Sequence, residues 1–346
     1  MLAHRGAQGQ RCFQRQRQAG VQVRCPRVLA AASSTGNSTP SSLPAAERTR
    51  TSFHHGITYI SYEVNTAVIK FNTSGVRVLI DPWFVGELTF GGADWMYAGR
   101  KKVIGRDTRV DMQQVLAEAD VVVITQGLDD HCHIPTLSAV ANKAVPVVAN
   151  AEAAARMRPL GFTNITVLAP GQATSVPGQA GGRLRITATE GALVGPPWSA
   201  RQLGLVMREE VPAGERPASL YFESHCDFDA RSVEAGLRSA GLAPGEGVDV
   251  AVSPVVTTLL GMPGVAPASY ALVQGDQNLA ALLRVLKPKV LLPLLNHDID
   301  HRGPLTSIMW QRGEEGGVGD ILRKAGLGDV RVEYPAPPGE ALALAL

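Results

Sequence analysis

Residues 119–134 read Ala-Asp-Val-Val-Val-Ile-Thr-Gln-Gly-Leu-Asp-Asp-His-Cys-His-Ile, and this stretch decides the fold. Val121 to Ile124 are four apolar β-branched residues in a row, the pattern of a strand covered on both faces. The run breaks at Gly127, and Asp129, Asp130, His131, Cys132 and His133 follow at once. Metal-capable side chains just past the end of a buried strand lie where open α/β sheets place their chemistry.

Outward from this centre the chain alternates in character. Ile57 to Phe71 is rich in β-branched and aromatic residues and reads as strand. Asn72-Thr73-Ser74-Gly75 reads as a hairpin turn, with Val76 to Ile80 returning. Pro82 cannot donate to a ladder and ends the pairing. Val85 to Ile104, glycine-rich with scattered aromatics, reads as a surface loop, and Arg100-Lys101-Lys102 as its solvated charge cluster. Asp111 is the expected cap of a short helix over 111–119.

Beyond the central stretch, a helix is expected over 135–142, entered through Pro135. Strands are expected at 145–149, 165–168, 184–188, 203–207, 219–223, 248–252, 290–295 and 330–334, the last of these closing the chain. Further helices are expected at 151–159, 229–240, 272–286 and 320–325, and 171–182 reads as turns. No short repeat is present. This order fits an α/β protein in which two mixed sheets pack together with helices outside, rather than one parallel doubly wound sheet.

The first 46 residues differ from the rest. They contain Arg5, Arg11, Arg15, Arg17, Arg24 and Arg27, no Asp, Glu or Lys, and a Ser/Thr/Pro/Gly tract. That is the composition of an organelle transit peptide, with a chloroplast address first and a mitochondrial one second. Residues 47–346 form the expected folded domain. The whole chain has a formal charge of +2, and without the six leader arginines 27 basic residues face 31 acidic ones, a charge of −4. The basic character therefore belongs to the leader, and nucleic acid is not an expected partner. No stretch approaches the ~18 apolar residues of a membrane span. Outside the leader only Cys132 and Cys226 remain, too few for a disulfide framework. Each sits beside histidine, so a thiol site is one reading and a buried small residue the other.

Five of the eight histidines, His131, His133, His225, His297 and His301, each follow the end of an expected strand. Asp130, Asp227 and Asp298 accompany them. Histidines and carboxylates from separate strand ends, converging on one edge, commonly assemble metal sites.

The hairpin end Leu79-Ile80-Asp81-Pro82-Trp83, the stretch Val121 to His131, Val194-Gly195-Pro196-Pro197-Trp198, Leu220-Tyr221-Phe222 and Leu291-Leu292-Pro293 together resemble the metallo-β-lactamase superfamily. The resembling branch holds lactonase-like and phospholipase-D-like hydrolases, and with its leader the chain looks like a plant or algal chloroplast-type member. The resemblance spans residues 57–335 and implies a four-layer αββα sandwich with a metal site at one edge. Its His-x-His-x-Asp-His motif falls on residues 126–131, where Asp130 and His131 match but Gln126 and Leu128 replace two histidines. The next family ligand falls near Glu190, the bridging aspartate near Ser224-His225 and the final histidine at Asn296 or His297. Leucine has no donor atom, so the first metal position is lost and two-metal catalysis with it.

What remains is a set of four ligands for one divalent ion (zinc, iron or manganese): Asp130, His131, His225 and His297. The resemblance then implies a single-metal hydrolase of an ester, lactone or phosphoester. Asp130 would orient water, and His133 or His301 would act beside it as general acid or supporting partner. The other reading is a binding or scaffold protein that has kept the sandwich, binds no metal and has lost the chemistry. A small-molecule ligand suits both.

Overall fold

The computed structural model describes residues 55–106, 109–194, 201–261 and 269–346. The leader, His54 and the segment Gly195 to Trp198 lie outside the described residues. Two seven-stranded mixed sheets form the body. The first runs, in spatial order, Ala341–Ala345, Gly56–Ser61, Ala67–Phe71, Arg77–Ile80, Val121–Ile124, Val147–Ala149 and Ile165–Val167. The second runs Arg331–Val332, Val290–Pro293, Val250–Ser253, Ser219–Phe222, Leu203–Glu210, Arg183–Glu190 and Ala173–Pro177.

Side-chain alternation explains the layering. Val121 and Val123 face the second sheet, in a core shared with Ile69, Val78, Ile80, Ile186, Leu205, Leu220 and Val252. Val122 and Ile124 point the other way, onto Leu116, Leu137, Ala153 and Met157 of the helices Met112–Glu118, Ile134–Ala139 and Ala151–Met157. On the far side of the second sheet, Tyr221, Ala251 and Leu291 pack on Val233, Leu279, Leu283 and Leu322. Those side chains come from the helices Ala230–Ser239, Gly275–Leu286 and Val318–Lys324. The result is the expected four-layer αββα sandwich, and an unbroken apolar run at 121–124 is what a strand between two dry layers requires.

Carboxylates clamp the central parallel pair at both ends. At one end Asp120 accepts the backbone N–H groups of Arg77 and Gln179, each at 2.7 Å. At the other, Asp81 accepts the N–H of Thr125 at 2.8 Å and its hydroxyl at 2.7 Å. Register is thereby set by polar groups at the strand ends, since neither apolar face distinguishes one register from the next.

Several expectations are corrected. Residues 57–71 form two antiparallel strands, because the chain turns at Glu63 and Val64, both left-handed with φ of 66° and 56°. The Glu63 carboxylate stabilises that turn by accepting the N–H groups of Lys102, Val103 and Ile104. Residues 85–104 are not all loop: Ala98–Arg100 pairs with Asp300–Arg302. Lys101 is not solvated. It is 3% exposed, and its ammonium donates to Tyr62 O at 2.6 Å, Trp83 O at 2.5 Å and Thr66 Oγ1 at 3.2 Å. Within 171–182 lies the strand Ala173–Pro177, and residues 272–274 belong to a strand rather than to the following helix. A small three-stranded sheet, Ser269–Gln274, Thr257–Gly261 and Met309–Arg312, and the final edge strand Ala341–Ala345 were not expected. Among the described residues no helix is long and apolar enough to cross a membrane.

Candidate metal centre

The loop after Val121–Ile124 is held rigidly. Arg156 donates to Gly127 O and pairs with Asp129, whose other oxygen accepts Gly91 N–H at 2.7 Å. Gly127 leaves room for the Glu152 side chain, which would lie 2.4 Å from a Cβ there and would have to move for any larger residue. This loop presents Asp130 and His131. The loop after Ser219–Phe222, from the facing sheet, presents His225. Its turn is tied by the fully buried Glu223, which accepts the N–H groups of His225 and Asp227, each at 3.1 Å. Burial pushes the Glu223 carboxyl up to about 8, opposed by these N–H groups.

Asp130, His131 and His225 bring one ligand atom each to within 4.8 Å of one another. The hydrogen bonds fix what those atoms are. His131 Nδ1 lies 2.7 Å from the buried Asp81 carboxylate, which can only accept, so Nδ1 carries a proton. His225 Nδ1 lies 2.6 Å from Leu272 O, and the same reasoning applies. Both lone pairs therefore sit on Nε2, and the two Nε2 atoms face each other at 3.3 Å. Asp130 Oδ2 is 3.2 Å from the same His131 Nε2. Two lone pairs and a carboxylate at these distances repel unless a proton or a cation lies among them. The donor set fits a divalent ion, with each imidazole oriented by an outer acceptor as metal-bound histidines usually are.

The electrostatics agree. Burial works against the His131 imidazolium, but the Asp130 and Asp81 charges outweigh it and raise His131 to about 10. His225 is lowered, by burial first and then by the His131 charge. Burial tends to raise Asp130, but the charges of His131 and His225 hold it down at about 2.

The remaining sequence candidates are placed elsewhere. His297 is outside the three-residue cluster: its Nε2 lies 3.2 Å from Glu315, while Nδ1 is buried without a partner. The cluster thus brings together three of the four expected ligands. His133 is a helix cap and not a cavity residue. Its Nδ1 accepts from Thr136, its Nε2 donates to Glu87 O at 3.2 Å, and burial depresses it to about 4. His301 is exposed on Asp300–Arg302, with its ring 6.2 Å from Tyr97, and it lines the cavity beside the cluster. Glu190 turns to Arg201 at 3.9 Å, Asp227 accepts from Leu193 N–H at 2.9 Å, and Asp298 pairs with Lys102. Asp81 and Asn65 were missed as site residues. Asp81 was visible only as the end of a strand, and Asn65 lay inside a segment read as continuous strand.

Cys132 and Cys226 are both fully buried, and burial raises both thiols, Cys132 to about 12. The thiol-site reading is therefore withdrawn, because a protonated, water-excluded thiol is not a nucleophile. Incubating the folded protein with an aromatic disulfide at neutral pH should leave both unlabelled on peptide mapping. Rapid labelling of either would contradict their burial.

A cavity of about 340 Å³ opens beside the cluster. Asp130, His225, Asn65, Asn296, His297 and His301 are among its polar lining residues, and Leu88, Phe90, Tyr97, Leu260, Leu272 and Met309 form much of the rest. Leu128 is part of the apolar wall. Gln126 is fully buried with neither amide atom bonded. No Lys or Arg is among the described lining residues.

Residues 59–295 match the family model described as the beta-lactamase superfamily domain. Among solved structures, the chain is similar to an isothiocyanate hydrolase from Delia radicum gut bacteria, with 17% identity and a TM-score of 0.54, covering 84% of this chain and 100% of that one. It is also similar to a possible metal-dependent hydrolase from Veillonella parvula DSM 2008, with 15% identity and a TM-score of 0.54, covering 84% and 100%. At these identities the likeness is one of fold. No curated protein sequence matches the chain.

Proposed function

The chain belongs to the β-lactamase superfamily, and from that premise we propose that it is a single-metal hydrolase of small, neutral, largely apolar esters or lactones. The observation that carries this reading is the pair of Nε2 lone pairs 3.3 Å apart beside the Asp130 carboxylate, at the wall of an apolar cavity. Asp130, His131 and His225 would hold the ion. When bound, it supplies Lewis acidity to the reacting carbonyl. The reading takes one ion, since Leu128, which has no donor atom, stands where the resemblance expects a family histidine.

The protein's own groups divide the remaining work. The apolar walls bind the substrate's hydrocarbon and exclude water from it. With no Lys or Arg among the described lining residues, a neutral substrate is favoured over a phosphoester. Asp130, held at about 2, is a good anionic ligand and a poor base. His297 is the better proton acceptor for the attacking water. Glu315 accepts from its Nε2–H, Nδ1 is left with a free lone pair, and burial lowers its pKa so that it is neutral near pH 7.

The test is to purify the full chain without chelator, measure bound metal by elemental analysis, and screen neutral aryl esters, lactones, an isothiocyanate and phosphate esters. We expect about one ion per chain, turnover of neutral substrates that a chelator abolishes, and little with phosphate esters. His297→Gln should lower kcat about 100-fold or more, within the range of general base catalysis, and leave metal content unchanged. No metal uptake after incubation with zinc, iron or manganese would remove the hydrolase reading and favour a binding role.

A further inference from the structure

A catalytic ion keeps one position for water or substrate beside its protein ligands, and a five- or six-coordinate ion held by three ligands still has room for a further protein donor. Asn65 lies closest to supplying the fourth. Its carboxamide Nδ2 is 3.3 Å from His131 Nε2 and 3.5 Å from Asp130 O. The residue is 2% exposed, lines the cavity with Asp130 and His225, and its Oδ1 is buried without a partner. We propose that the Asn65 carboxamide oxygen is the fourth protein ligand of the metal centre. The inference rests on the single-ion reading above and names a donor that the family motif does not contain.

The local structure argues for a built position. Asn65 follows two consecutive left-handed residues, Glu63 and Val64, an arrangement that costs energy, most of all at the β-branched Val64. That conformation is held from several sides. Glu63 accepts three backbone N–H groups from 102–104, and the Lys101 ammonium bonds Tyr62 O and Thr66 Oγ1. Thr66 donates to Asp81 O at 2.8 Å, so the turn bearing Asn65 is joined to the residue that orients His131. The strain aims Val64 and Asn65 at the cavity.

The amide suits both states of the centre. With no ion, the centre holds its proton, and the carboxamide Nδ2 lies 3.3 Å from His131 Nε2. A half-turn about the terminal side-chain bond exchanges Oδ1 and Nδ2 with little other movement, and brings the oxygen to the same place. A neutral donor also balances charge. Asp81 and Asp130, the two carboxylates in contact with His131, already match a dication, and a third carboxylate would leave the buried centre negative. Two imidazoles, a carboxylate and an amide oxygen form a mixed nitrogen and oxygen set suited to zinc, iron or manganese.

Substitution separates the oxygen from the amide N–H. Zinc and manganese affinities of the full chain would be measured by competition with a fluorescent chelator, for wild type, Asn65→Ala and Asn65→Asp. We expect Asn65→Ala to bind at least ~10-fold more weakly, the loss typical even of an outer-shell contact. Asn65→Asp, which keeps an oxygen and loses the N–H, should bind within about threefold of wild type or more tightly. Equal weakening in both variants would show a hydrogen-bond donor and overturn the inference, as would wild-type affinity in Asn65→Ala. If wild type binds neither ion, the single-ion reading falls and takes this one with it. Should Asn65→Ala fail to fold, the wild-type Asn65 NH2 resonances, assigned by their absence in Asn65→Asp, must move on zinc addition, and unmoved resonances would refute the ligand.

Discussion

Asp81→Asn is expected to leave the sandwich folded and weaken metal binding by about 100-fold, the upper end of what an outer partner of a metal-bound histidine contributes. The Asp81 carboxylate accepts three hydrogen bonds: from Thr125 N–H on one oxygen, and from the Thr125 hydroxyl and His131 Nδ1 on the other. An amide must turn its NH2 toward one set. Facing Thr125 N–H it would set donor against donor, and a backbone N–H cannot become an acceptor. Facing the hydroxyl and His131 it finds two groups that can both accept, so this orientation is preferred. His131 then becomes the Nε2–H tautomer and points a hydrogen, not a lone pair, into the centre. Chelator competition reads the affinity, and urea unfolding separates it from a stability loss of about 1–3 kcal/mol for the disturbed buried bonds. Affinity within threefold of wild type would show that Asp81 does not set the tautomer.

Metal affinity is expected to rise about tenfold per pH unit between pH 6 and 9, roughly a thousandfold in all, because each ion must displace one proton. The cause is His131. Burial opposes its charge, but Asp130 and Asp81 raise it to about 10, so the empty centre keeps its proton throughout that range. The same shift has a defined effect on stability. The folded value lies above the unfolded one of ~6.5, so the contribution of this proton to the metal-free fold is complete below ~6.5 and is lost as pH rises through about 10. The ion-loaded protein carries no such proton, and the gap in Tm between loaded and empty forms should widen toward high pH. Calorimetric titration with zinc in buffers of different ionisation heat should find about one proton released per ion at pH 7.5. A pH-independent affinity would mean that the centre is empty of protons before the ion arrives.

The helix caps show where local chemistry suffices. Asp111 and Asp229 bond the N–H groups two or three residues ahead, so their roles follow from neighbours in the chain. Lys101 shows where it fails. As one of three adjacent basic residues it reads as solvated, yet three oxygens from residues 18 to 39 positions away satisfy its ammonium in the interior. The strand Ala341–Ala345 is a similar case. Ala-Leu-Ala-Leu-Ala carries no strong strand preference and becomes a strand by pairing with Gly56–Ser61.

The sequence by itself determined the layers and the strand ends where metal-capable side chains gather, because these depend on side-chain periodicity and on which residues possess donor atoms. It also pointed to Asp130, His131 and His225. Only the tertiary structure separated His131 from His133, one at the cluster and the other capping a helix two residues later. It alone directed His297 to Glu315 and brought Asn65 to His131 across 66 positions. The physical reason is that a histidine's role is set by the acceptor on its other nitrogen, and those acceptors, Asp81 for His131 and Leu272 for His225, lie 50 and 47 residues away and meet their rings only in the folded chain.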